Sequence, residues 1–175
     1  MALQFQVLRF QVSKFPVVCS FAAAAVAAVL LFGADEARSQ AGPFSALGGS
    51  WSGSGTIRKA SGGSERIRCR SSYEPSGANL SLRIRCASDS YNIDLSASVA
   101  YQGGSVSGQW QETTRNVSGS ISGQSSGGGS HVQAVAQAAG VTSSITVSTR
   151  GNHQSVSIIT PGADVPEVTV SQERR

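Results

Sequence analysis

Charged side chains are scarce in this 175-residue chain: Lys and Arg number 14 and Asp and Glu 10, together 14% of the sequence. Ordinary globular proteins carry about 25%. So low a charge excludes a chain kept disordered by self-repulsion, and it excludes a coiled coil. Aromatic residues make up 6%, too few for the two interfacial girdles of an outer-membrane barrel or for the stacking platforms of a nucleic-acid binder. There are two histidines and three cysteines, and no C-x-x-C pair. A zinc site therefore lacks its usual ligands, and neither a metal nor a cofactor is expected. The serine nucleophile motif G-x-S-x-G is also missing. Its central position is Trp51 in Gly49-Ser50-Trp51-Ser52-Gly53 and Ile121 in Gly119-Ser120-Ile121-Ser122-Gly123. No glycine-rich loop follows a strand and opens a helix, so Gly127-Gly128-Gly129 reads as a flexible connection. Catalysis is not expected: His131 and His153 fall in or beside turns and face solvent. Glu112 is inward by strand parity but close enough to a strand end to reach water. An enzyme would need these three residues to converge.

What the chain does have is glycine, 20 residues of it, and an excess of serine. Its length suits one domain. Residues 1–41 read as a signal peptide. Arg9 and Lys14 form a basic start, an apolar run extends from Phe15 to Phe32, and Ser39 and Ala41 supply the small-x-small pattern of a cleavage site. A retained membrane anchor is the alternative, and the alanine-rich run is marginal for spanning a bilayer. Cleavage leaves no stable transmembrane segment and a domain of residues 42–175. It also removes Cys19, leaving Cys69 and Cys86 as a pair in an oxidising compartment, periplasmic or extracellular. A disulfide is the default there, with two free thiols as the alternative.

From residue 49 onward, apolar and polar residues alternate with period two between turn signals. Strands are expected at 51–59, 65–73, 79–88, 91–101, 105–114 and 117–123. Less firmly marked ones follow at 131–138, 141–149, 154–160 and 167–172. The segment 131–140, rich in alanine and glutamine, would also suit a short helix. Short connections imply antiparallel neighbours. About eight to ten strands, each with one apolar face, must close into a barrel or fold into a sandwich. The expectation is an all-β, single antiparallel up-and-down β-barrel with a serine-rich exterior. An outer-membrane barrel would carry its apolar face outward instead.

The turn at Pro75-Ser76-Gly77 sets Cys69 and Cys86 on adjacent antiparallel strands with both side chains on the apolar face. If they lie opposite each other, Arg70 lies opposite Arg85, and Arg66, Arg68 and Arg83 share that polar face. Five guanidinium groups on two paired strands repel one another. They are candidate ligands for an anion such as an envelope glycan or a lipid headgroup. The alternative is a solvated face neutralised by Glu65, Glu74, Asp89 and Asp94. The net charge is only +4, which does not suggest a nucleic-acid partner.

Gly49-Ser50-Trp51 opens the first strand and is echoed at Gly108-Gln109-Trp110. A G-x-W in that place resembles the opening of lipocalin-type barrels, a resemblance that implies a structural plug role for Trp51; Trp110 is a second candidate structural residue. Together with one disulfide of similar span, it also resembles the secreted bacterial metalloprotease-inhibitor barrels. That resemblance implies a protease-binding tail at Gly42, Pro43, Phe44 and Ser45. The whole mature region resembles short exported alphaproteobacterial proteins of unknown function. The expected function is non-catalytic binding or an envelope role, with protease inhibition as the alternative.

Overall fold

The computed structural model describes residues 42–175; the expected leader at 1–41 lies outside the described residues. Each alternating segment forms a strand: β1 (Gly49–Arg58), β2 (Ser64–Ser76), β3 (Asn79–Ala87), β4 (Asn92–Gln102), β5 (Ser105–Glu112), β6 (Val117–Ser126), β7 (His131–Ala138), β8 (Val141–Arg150), β9 (His153–Ile159) and β10 (Glu167–Arg174). Every strand pairs antiparallel with its successor, and β10 pairs with β1 to close a ten-stranded barrel. The sandwich alternative is thereby excluded. β7 is extended despite its helix-compatible alanines, because ladders on both sides hold it: Ala134 is registered with Gly123 of β6 and with Ile145 of β8. Tertiary pairing overrides local propensity here.

Period-two alternation then sorts the side chains. Ile67, Cys69, Leu80, Ala97, Val99, Val106, Ala134, Val156 and Val170 are buried, and the intervening serines, threonines and arginines face out. This polarity is the reverse of a lipid-facing barrel. Three interior hydrogen bonds satisfy inward polar groups on the β2–β1–β10–β9–β8 wall. Ser71 donates to Gln172 at 3.0 Å, Tyr73 donates to Gln154 at 3.1 Å, and Gln154 donates to Thr149 at 3.3 Å. Burial pushes the Tyr73 phenol up to about 12, against the opposing hydrogen bonds of Ser71 and Gln154.

One end of the barrel is stoppered by residues 42–48. Phe44 and Leu47 are buried there with Trp51, Tyr73 and Leu80. The Trp51 indole donates to the Leu47 carbonyl at 2.7 Å. Arg174 stacks 4.6 Å from the centre of the Trp51 ring and donates to the Ala46 carbonyl at 2.6 Å. Trp51 thus sits where a plug belongs. Trp110, by contrast, is only half-buried, with its indole N–H on the Ser120 carbonyl at 3.1 Å.

Two sequence expectations are corrected at this end. The Gly127–Gly129 connection is packed, not a free linker. The Ala46 N–H donates to the Gly128 carbonyl at 2.8 Å, and a Cβ on Gly129, itself buried, would stand 3.1 Å from the Phe44 Cα. For the same reason Gly42–Ser45 does not project as an inhibitory tail, since Phe44 is 1% exposed and serves as core.

The β1–β10 seam is equally tight. Gly53 and Gly55 share the inward parity of Trp51 and Ile57, and a Cβ at either would lie 1.8 Å from a β10 carbonyl oxygen, that of Ser171 or Thr169. Real side chains do not fit at that distance, so the closing ladder depends on both glycines.

Candidate functional site

The β2–β3 hairpin has the register expected from its cysteines. Cys69 is paired with Cys86 and bonded to it, and Arg70 faces Arg85. With the sulfurs directed inward, parity turns Arg66, Arg68, Arg70, Arg83 and Arg85 outward, and all five are exposed.

Beside them, β1 presents a run of small hydroxyl residues to the exterior, Ser50, Ser52, Ser54 and Thr56, before Arg58 ends the strand. Ser54 is registered with Arg68 and Ser52 with Arg70. Low side chains on one strand next to long ones on the next two create a groove of about 900 Å³. Its floor includes Ser50, Ser52 and Ser54, and its sides include Arg68, Arg70, Arg83 and Arg85. Arg175 closes the groove at the stoppered end, held by its Nε on the Ser52 hydroxyl and its backbone N–H on the Ser50 carbonyl.

The five hairpin arginines are not equivalent. Asp94 of β4 takes both Arg83 and Arg85. Arg83 binds it with two bonds, Nε to Oδ1 at 3.1 Å and Nη2 to Oδ2 at 2.9 Å; Arg85 Nε reaches Oδ2 at 3.2 Å. The Arg83 hydrogen bonds foremost, opposed by burial and joined by the charges of Arg83 and Arg85, hold the Asp94 carboxyl below its ordinary value. Arg66 leans onto the Ser54 hydroxyl at 3.2 Å. Among the described residues, neither Arg68 nor Arg70 has a carboxylate within 4.0 Å.

Of the other proposed neutralising acids, Glu65 serves elsewhere. It pairs with Lys59 at 2.7 Å and accepts from the Ser90 N–H at 2.7 Å. The Lys59 hydrogen bond first, then those from Ser88 and Ser90, bring its carboxyl down to about 2. Glu74 accepts only a long 3.4 Å bond from Ser72. One carboxylate therefore serves two arginines, and the centre of the groove carries uncompensated guanidinium charge.

Glu112 differs from its expectation. It is 6% exposed, although it ends β5, because the following turn folds back over it. Its carboxylate accepts the backbone N–H groups of Asp94 at 3.2 Å, Thr114 at 3.0 Å and Arg115 at 2.9 Å, together with the Thr114 hydroxyl. Burial alone would raise its pKa. The hydrogen bonds from Thr114, Asp94 and Arg115 outweigh it, and the net shift is downward. Glu112 organises a turn, at the opposite end of the barrel from His131 and His153, which begin β7 and β9. His131 lies 3.4 Å from the Ser148 hydroxyl and His153 3.6 Å from Glu173, both exposed. The three residues do not converge. Among the described residues no cluster of three or more metal-ligating side chains forms, and no helix is long and apolar enough to cross a membrane.

The sequence pattern carries the hairpin, whereas the groove's β1 floor and Arg175 come from strand pairing across the closed ring. The repeated small residues Ser50, Ser52, Gly53, Ser54 and Gly55 are the available signal, since a stretch of strand with no bulky outward side chain leaves a trough beside a neighbour that has them.

Fold and site together define a closed, ten-stranded antiparallel up-and-down barrel with a cationic groove on its outer wall. No family model matches the sequence, and no curated protein matches it significantly. Among solved structures, the chain is similar to Rv2717c from M. tuberculosis, with a TM-score of 0.61 and 14% identity over 75% of this chain and 94% of that one. It is also similar to the S-type phycobiliprotein lyase CPES from Guillardia theta, with a TM-score of 0.56 and 11% identity over 75% of this chain and 89% of that one. At such identities the likeness is one of fold.

Proposed function

We propose that this protein is an exported, non-catalytic binding barrel that holds an anionic ligand in the groove over β1, β2 and β3. The observation that carries the reading is the pair Arg68 and Arg70, exposed, without a carboxylate partner among the described residues, and set above the hydroxyls of Ser52 and Ser54. Guanidinium groups supply planar, multi-donor contacts to sulfate, phosphate or carboxylate, and serine hydroxyls donate to the remaining oxygens. Arg83 and Arg85, already held by Asp94, are fixed in position at the groove's side. Export accords with the leader-like residues 1–41 and with the Cys69–Cys86 disulfide. The solved phycobiliprotein lyase shows that a barrel of similar fold can be put to other use. The inhibitor reading loses its tail to the barrel stopper.

The test is calorimetric titration of the purified protein with sulfate, pyrophosphate and a sulfated disaccharide, in low and high salt. Saturable binding that weakens as salt rises is expected. R68S/R70S, changed only at exposed positions, should melt with the parent and bind about tenfold more weakly. Equal binding by parent and double variant, or none by the parent, refutes the assignment.

A further inference from the structure

The groove does not stop at Arg68. A second depression of about 420 Å³, lined by Ser54, Thr56, Ser64 and Arg66 among others, adjoins it through the shared residue Ser54. Arg66, whose guanidinium donates to Ser54, stands where the two meet. The hydroxyl row Ser50, Ser52, Ser54, Thr56 thus runs along both depressions, with Arg66 reaching over to Ser54 where they meet. Six residue steps along a strand make it about 20 Å long. Along its β2 side, Arg70, Arg68 and Arg66 recur at every second residue, about 7 Å apart. Arg175 stands at one end. At the other, Arg58 follows Thr56 on the outward face of β1 and is paired with Glu167 at 3.1 Å.

A single small anion uses two or three of these cations and leaves the rest idle. We infer, building on the anion-site reading above, that the ligand is a linear acidic polysaccharide lying along β1, its charged groups taken in turn by Arg70, Arg68 and Arg66 and its hydroxyls by the serine row. A sugar chain carries both kinds of group at every repeat, and the trough offers both partners along its whole length. A single-stranded nucleic acid would want aromatic faces for its bases. The trough has none exposed, because Trp51 beneath it is 1% exposed. A lipid surface would want apolar side chains beside the cations; the exposed large apolar residues Val117, Val141 and Ile159 belong to β6, β8 and β9.

Heparin-derived oligosaccharides of increasing length are the probe, titrated against the purified protein beside inorganic sulfate. Affinity is expected to rise about three- to tenfold from disaccharide to the length that fills the trough, then level off. R66S should weaken the long oligosaccharides several-fold more than the disaccharide, because two of the three arginines already suffice for a disaccharide whereas a long chain engages all three. Sulfate and disaccharide binding through Arg68 and Arg70 with no dependence on length, or an equal loss at all lengths in R66S, overturns the extended ligand but keeps the anion site. No binding of any probe overturns both. Tighter binding of an oligothymidylate of equal charge, or of phosphatidylglycerol vesicles, overturns the polysaccharide assignment.

Discussion

Replacing Glu112 by alanine removes one carboxylate and strands four donors at once. Three of them are backbone N–H groups, of Asp94, Thr114 and Arg115. A buried donor left without an acceptor costs about 1–3 kcal/mol. Thr114 and Arg115 lie in an exposed turn where water can replace much of the loss, whereas Asp94 sits in the β4 strand and is less exposed. The expected penalty is thus about 2–4 kcal/mol, or a melting midpoint lower by about 10 °C for a domain of this size. Glu112→Gln keeps an acceptor for part of the set but turns an amide toward a donor, for about half that cost. The sign of the pH dependence follows from the lowered pKa. The carboxylate contributes stability above its ordinary value near 4.5, and the contribution is lost as pH falls through the lower folded value. Urea unfolding at pH 7 and at descending pH measures both effects, and the Gln variant should lose the corresponding part of the acid sensitivity. A Glu112→Ala protein within about 0.5 kcal/mol of the parent would falsify the turn-organising role.

Two further outcomes follow from packing. Gly55→Ala places a methyl group 1.8 Å from the Thr169 carbonyl and should open the β1–β10 seam. Amide exchange should accelerate in β1 and β10 before it does in β4 or β5, and uniform protection across the barrel would contradict the seam assignment. Removing the disulfide with Cys69→Ala and Cys86→Ala frees a 17-residue separation and should lower stability by about 3 kcal/mol. The nine other ladders are untouched, so far-ultraviolet circular dichroism should be unchanged; loss of the β signal would show that the barrel needs the bond to form.

The strand pattern could be read in advance because it is local: alternation decides which face is buried, and turn residues decide where a strand reverses. Even the Cys69–Cys86 register followed from two inward side chains and one turn. The misread residues depend on what the whole ring brings together. The burial of Glu112 is invisible to parity because the donors that cover it belong to β4 and to its own turn. The Gly127–Gly129 segment looked like a linker because nothing in its composition shows that residues 42–48 return to lie on it. Arg175 joins the groove only because β10 closes against β1, and closure is a property of strand number and curvature, not of any one strand.

That closure separates the molecule's contacts into two kinds. Nine ladders join strands that follow one another along the chain, while the tenth joins residues more than a hundred positions apart, such as Ile57 and Val168. The nine can grow hairpin by hairpin with little loss of chain entropy, but the tenth must gather both ends of the barrel at once. The β1–β10 ladder is therefore the natural last step of folding and the first to part under thermal stress. It can form at all only because Gly53 and Gly55 leave room for the β10 backbone.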